Sequence, residues 1–201
     1  HMGRDITLSS KPGRSAYRLI NAVVILCRVA ERYGISREEL LAGSGIEPED
    51  ISDPYRIVSI RQEMIVGRNL VELVQVPWIG LEVGRDYHYS ANGKLGMAMM
   101  CCETGLEALR MAMAYPELLN SYHHYDISLK QDTARASLKE IGDLGEYRHF
   151  ICELEMASMQ SMAINGLNVS RVFRELYFPY PEPAHAQKYR EFFGCRLFFA
   201  S

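Results

Sequence analysis

Tyr122-His-His-Tyr-Asp-Ile-Ser-Leu-Lys-Gln-Asp-Thr-Ala-Arg-Ala-Ser-Leu138 is where the apolar residues of this chain change their spacing. Tyr125, Ile127 and Leu129 alternate with polar neighbours, Gln131-Asp132-Thr133 supplies a turn, and Ala134, Ala136 and Leu138 resume the alternation. A period of two sends successive side chains to opposite faces of a strand, so this stretch predicts an antiparallel hairpin with one face inward. Asp126 and Asp132 then read as solvated strand ends, not as a paired acid and base.

Downstream, helical and extended spacing alternate. Phe150, Leu154, Ala157 and Ile164 mark a helix from Glu146 to Ile164, which Asn165-Gly166 ends. Val172, Arg174, Leu176 and Phe178 form a third strand stopped by Pro179. A helix runs from near Pro183 to Gly194, and Cys195 to Ala200 is a fourth strand. The second half therefore reads β-β-α-β-α-β. The fold class predicted is α+β, a helical N-terminal half packed on a small mixed sheet of about four strands.

Upstream the spacing is helical. Residues 1–15, with Pro12-Gly13, read as a flexible tag or arm, and residues 16–201 as a single domain. Ala16, Leu19, Ile20, Val23, Val24, Cys27 and Ala30 predict an amphipathic helix closing at Gly34. Ser36-Arg-Glu-Glu39 is a capping box, in which the Ser hydroxyl and Glu carboxylate satisfy each other's backbone N–H groups. Helix, Gly-Ile-Ser turn and helix have the spacing of a helix-turn-helix, but Glu38 and Glu39 would face phosphates with only Arg37 to attract them. A plain helical hairpin is the better account. Ile60, Met64, Val71 and Val74 place a long helix at Ile57–Val76, with Arg61, Glu63, Arg68 and Glu72 on its solvated face.

Between these halves lies the methionine-rich stretch Asn92–Pro116. Leu95 to Cys102 is apolar on nearly every face and predicts a buried helix; Thr104-Gly-Leu-Glu107 caps a second, stopped by Pro116. Folded back, the pair would set Met97 and Met100 in a soft core able to adapt around an apolar group, or serving only to fill gaps. Tyr87, His88, Tyr89, Tyr122, His123 and Tyr125 flank the pair at both ends. Rings with polar tips suit a mostly apolar pocket with a few directing hydrogen bonds, so these eight residues are the candidate ligand-binding set.

Composition narrows the function. The chain has 201 residues, 48% of them hydrophobic and 23% charged, with a net charge of -3; its pI is near 6.1. No basic excess for nucleic acid is present. The five cysteines (27, 101, 102, 152, 195) are odd in number and sit in apolar contexts, as expected of free thiols in a reducing cytoplasm. Adjacent Cys101-Cys102 and His123-His124 point apart, so no metal site is expected. There is no Gly-x-Ser-x-Gly elbow and no phosphate loop, so the reading is a binding protein without a cofactor, not an enzyme. No run of 18 apolar residues exists to span a membrane.

The order of several short motifs resembles one family. They are Gly34-Ile-Ser, Leu40-Leu-Ala-Gly-Ser-Gly-Ile46, Asp53-Pro54 followed by Arg56, Trp78-Ile-Gly80-Leu81 with Gly84, Gly93-x-Leu-Gly96, Thr104-x-x-x-Ala108-Leu109, and Tyr189, Phe193-Gly194 and Phe198. Together they resemble the non-cupin, arabinose-binding-like N-terminal domain of AraC-type bacterial transcriptional regulators, of the ornithine-utilisation regulator kind. The resemblance covers about residues 16 to 201. It implies a regulatory domain that senses a small-molecule effector, forms a homodimer and controls a C-terminal DNA-binding module. It implies further that this chain is cut from a longer protein and lacks that module, with DNA bound only through it. The resemblance carries the role and not the ligand. The alternative from another class is a stand-alone small-molecule-binding protein or enzyme with no DNA partner.

Overall fold

The N-terminal segments are tied to the rest of the chain by long-range strand pairing. The structure, a computed structural model, describes residues 6–9, 17–130, 133–167, 169 and 172–201. The rest of the expected arm, Ala16 and the turn residues Gln131 and Asp132 lie outside the described residues. Within the arm, β1 (Ile6–Ser9) is a strand, antiparallel to the hairpin's first strand with Leu8 opposite Ile127. β2 (Tyr17–Leu19) occupies the expected first turn of helix. It feeds α1 (Asn21–Arg32), and α2 (Arg37–Leu41) follows with its capping box intact. Glu39 N donates to Ser36 Oγ at 3.2 Å and Ser36 N to Glu39 Oε2 at 2.9 Å. Arg37 is tied to Glu31 at 2.7 Å.

The long helix expected from Ile57 is a three-residue strand and then a helix. β3 (Ile57–Ser59) pairs with β2, Arg18 opposite Val58. α3 (Ile60–Val74) begins there because Ser59 and Gln62 form a capping box that fixes its first turn. α4 (Ile79–Arg85) follows, then α5 (Gly93–Met100) and α6 (Gly105–Ala114) of the methionine-rich stretch. Thr104 caps α6, while Glu107 turns instead to the Glu103 N–H at 3.0 Å. α5 is not buried on most sides: Met97 and Met100 are each 63% exposed and Cys101 is exposed. α6 turns Ala112 and Met113 onto Tyr125 and Ile127 of the hairpin.

The hairpin is β4 (His123–Lys130) and β5 (Thr133–Glu140), with Tyr125 opposite Leu138 and Ile127 opposite Ala136. After it come α7 (Arg148–Leu167), β6 (Glu175–Phe178), α8 (Ala186–Phe193) and β7 (Arg196–Phe199). The protein is mixed helix and strand, but among the described residues the strands do not form a single four-stranded sheet. β1-β4-β5 form one antiparallel sheet, β2-β3 a ribbon, and β6-β7 a separate parallel pair. The physical reason is α7. Its Phe150, Ile151 and Leu154 join the N-terminal helices, Cys152 and Ala157 join β6 and α8, and Met159 packs towards α6 and β4. A helix buried against both strand groups keeps them apart. Ile164, expected on its apolar stripe, is 40% exposed.

α4 lies unusually close to α7. A Cβ at Gly80 would sit 2.5 Å from the Phe150 carbonyl oxygen, and one at Gly84 would sit 2.4 Å from Ala157 Cβ. Gly80 and Gly84 share one helix face, which brings the two backbones together where larger side chains would hold them apart.

Candidate functional site

Four elements converge on a buried cluster of charges. β2 presents Arg18, the first turn of α3 presents Glu63, the start of β4 supplies Tyr122, His123 and Tyr125, and α7 supplies Glu155. Glu63 and Glu155 are each only 2% exposed. Arg18 Nη1 donates to Glu63 Oε1 at 3.2 Å and its Nη2 to the Ser121 carbonyl at 2.6 Å. The guanidinium carbon lies 4.7 Å from the centre of the Tyr122 ring, and the Tyr122 hydroxyl donates to Glu63 Oε1. The cation is thus held by an anion, a carbonyl dipole and a ring face at once, which offsets the cost of removing both charges from water.

Glu155 gathers the second half of the cluster. Its Oε1 accepts from the Tyr122 N–H at 2.5 Å and lies 2.9 Å from Ser121 Oγ. Its Oε2 lies 2.8 Å from His123 Nδ1 and accepts from the Tyr125 hydroxyl at 3.2 Å. Burial works against a charge on His123, but the hydrogen bond and charge of Glu155 outweigh it and raise the imidazole pKa. Burial, reinforced by the nearby carboxylates, pushes the phenols of Tyr87, Tyr122 and Tyr125 upward. These three rings stay neutral and act through hydrogen bonds and area, not as bases.

Above Glu63 opens a narrow cleft walled by Tyr87, Tyr122, Tyr147, Phe150 and Leu154. About 10 Å³ of it is open to the centre of a water molecule, room for roughly one water. A wider cavity of about 260 Å³ lies across Tyr147 and Phe150, which line both, with Gln75, Glu146, His149 and Glu153 on its rim. Among the described residues Glu63 Oε2 has no hydrogen-bond partner although it is buried. The other buried acid of α7 is fully occupied. Glu153 receives Tyr189 at 2.7 Å, His185 at 3.0 Å and the Gly80 N–H at 3.1 Å, a structural knot that joins α4, α7 and α8.

Of the residues singled out from sequence, Tyr87, Tyr122, His123 and Tyr125 come together here. His88 is exposed, with Nδ1 3.4 Å from Asn165 Nδ2. Tyr89 is buried elsewhere, its ring where a Gly166 side chain would be. Met97 and Met100 face outward. Sequence reasoning missed Arg18, Ser121 and Glu155, and assigned Glu63 to a solvated face. A signal for Glu63 existed: the buried face of α3 is Glu63, Val66, Gly67 and Leu70, so the acid stands inside an i, i+3, i+4, i+7 stripe. Burial pushes the Cys27 thiol up to about 11 and Cys152 to about 12, and no three His, Cys, Asp or Glu among the described residues are grouped to hold a metal.

Comparison with known proteins says which kind of domain carries this buried polar cluster and aromatic cleft. Residues 34–201 match the arabinose-binding domain of AraC transcription regulator, N-term, and the chain belongs to that family. It is 31% identical over 180 residues to the ornithine utilization regulator of Pseudomonas aeruginosa, covering 89% of this chain and 52% of the relative. It is 34% identical over 144 residues to uncharacterized HTH-type transcriptional regulators of Mycobacterium bovis and Mycobacterium tuberculosis, covering 70% of this chain and 41% of each relative. The chain thus spans about half the length of the curated relatives it matches. The family and these relatives are transcriptional regulators, not enzymes. No helix among the described residues is long and apolar enough to cross a membrane.

Proposed function

We propose that this chain is the effector-sensing and dimerisation domain of a cytoplasmic AraC-type regulator, governing a C-terminal helix-turn-helix module in a longer protein. The observation that carries the reading is the Arg18–Glu63–Tyr122 cluster buried at the floor of an aromatic cleft, in a chain of a regulator family. Such a cluster costs desolvation energy that a purely apolar core would avoid, and directing polar groups in an apolar pocket are what selective small-molecule binding requires. An effector that prefers one arrangement of the cleft shifts the population of domain conformations, and with it the spacing of two paired DNA-binding modules.

The Gly34-Ile-Ser segment takes no part in DNA reading in this proposal, because Glu39 closes the cap of α2 and Arg37 is paired with Glu31. The test is a comparison of DNA affinity across salt concentration. The 201-residue chain should show no salt-dependent affinity, and a protein carrying this domain and the C-terminal module should lose affinity steeply as salt rises. Sedimentation equilibrium should find the chain dimeric. Tight operator binding by residues 1–201 alone would refute the division of labour.

A further inference from the structure

We propose that the cleft takes a cation with hydrogen-bond donors, a primary ammonium or guanidinium group on an apolar stem, whose head docks on Glu63 Oε2. This deepens the reading of the cleft as the effector site and rests on it. The sign of the ligand follows from what is left unsatisfied. An ionised carboxylate oxygen only accepts, so its missing partner must donate. Of the neighbouring donors, Arg18 Nη1 and the Tyr122 hydroxyl both act on Glu63 Oε1, and Arg18 Nη2 serves the Ser121 carbonyl. Arg18 is shared between Glu63 and the Ser121 carbonyl, His123 pairs with Glu155, and Arg68, which also lines the cleft, lies over the Tyr147 ring at 4.6 Å from its centre. An anion placed beside Glu63 would meet a second charge of its own sign in a medium that screens it poorly.

Aromatic faces favour the same class. Tyr87, Tyr122, Tyr147 and Phe150 line the cleft together with Glu63, and ring faces attract cations while accommodating methylene groups. The cleft as it stands has room for about one water, so the stem must reach it from the wider cavity across Tyr147 and Phe150. Tyr147 is part of that wall. It ends a single 3-10 turn that starts at Gly145, φ 52°, and its hydroxyl donates to Glu72 at 3.2 Å beneath Arg68. Glu146 and Glu153 on the outer cavity give the route a negative lining as well.

The experiment uses the 201-residue chain and three probes of matched stem: n-butylammonium, n-butanol and n-butyrate, titrated at constant ionic strength with the melting temperature as readout. A ligand of the native state raises that temperature saturably. The ammonium should do so, the alcohol far less and the carboxylate not at all. Glu63→Gln, which removes the charge at nearly constant shape, should weaken the ammonium at least tenfold. Tyr122→Phe leaves Oε1 with one donor fewer and should tighten it, so the two variants move in opposite directions and neither result can be assigned to general damage. A response to butanol or butyrate equal to that of the ammonium, unchanged in Glu63→Gln but abolished by Leu154→Trp, would overturn the charge assignment and leave the cleft as effector site. No response to any probe, with Leu154→Trp silent, would overturn both.

Discussion

Replacing Glu155 by Gln tests the cluster through its pH dependence. Two donors meet each oxygen of this carboxylate, and the residue is 2% exposed. Gln retains one carbonyl oxygen, enough for Tyr122 N–H and Ser121, and turns an NH2 towards His123 and Tyr125. A protonated His123 then loses a charge-assisted hydrogen bond, which stabilises by about 1.5–3 kcal/mol. A neutral His123 loses less, because its bare ring nitrogen accepts from the new NH2, and the cost falls to about 1 kcal/mol. The sign follows from the raised imidazole pKa. A folded value above the ordinary 6.5 gives stability that is fully present below 6.5 and lost as pH rises through the folded value. Glu155→Gln removes that contribution, so its penalty is larger on the acid side. For a domain of this size each kcal/mol moves the melting temperature by about 2–4 °C, giving a drop of about 3–12 °C near pH 5.5 and about 2–4 °C near pH 8.5. Urea unfolding at both pH values, with the His123 ring titrated by NMR, measures both quantities. Equal penalties at the two pH values, or an unshifted His123, would refute the coupling.

Gly84→Ala should destabilise by about 2–4 kcal/mol, because its methyl would lie 2.4 Å from Ala157 Cβ and 2.6 Å from the Leu154 carbonyl oxygen, neither of which is a flexible end. Gly142→Ala, with nothing within 4 Å, should be neutral or stabilising by about 0.5 kcal/mol; calorimetry of the pair separates close packing from loss of glycine as such. Met97→Ser and Met100→Ser should each change stability by less than about 0.5 kcal/mol, whereas the buried Met113→Ala should cost about 2–4 kcal/mol by denaturant unfolding.

What could be read from sequence was what is local. The hairpin followed from alternation, and the caps at Ser36 and Thr104 from a hydroxyl spaced three residues before an acid. Ser59-x-x-Gln62 is the same signal, and it was hidden inside a continuous apolar run that a helix explained equally well. β1 and β2 were illegible because a strand of three or four residues carries too few alternations to show a period, and each is made by a partner far along the chain. Met97 and Met100 were misplaced since a nearly all-apolar helix does not say which side faces water. Four of the eight candidate residues reached the buried cluster. They were chosen as rings with polar tips at the two ends of the methionine-rich pair, while the carboxylates they serve are contributed by α3 and α7, whose approach is a property of the tertiary fold.

α7 shows why the acids were the hardest part to see. A helix with one wet face announces its buried stripe, but this one is packed against the N-terminal helices, the hairpin and the β6–β7 unit together. Its polar residues therefore do not mark a surface. Glu153 and Glu155 stand two positions apart, about 200° around the axis at 3.6 residues per turn, and so point to opposite sides. One ties α4 and α8 through Gly80, His185 and Tyr189; the other ties β4 through Tyr122, His123 and Tyr125. A rotation of the helix that relieved one set of hydrogen bonds would strain the other. The two sets of contacts lie some 3 Å apart along the axis at 1.5 Å per residue. That joins the polar cluster beneath the cleft to the packing of the last helix and strand through a single element, with no chain of intermediate side chains required.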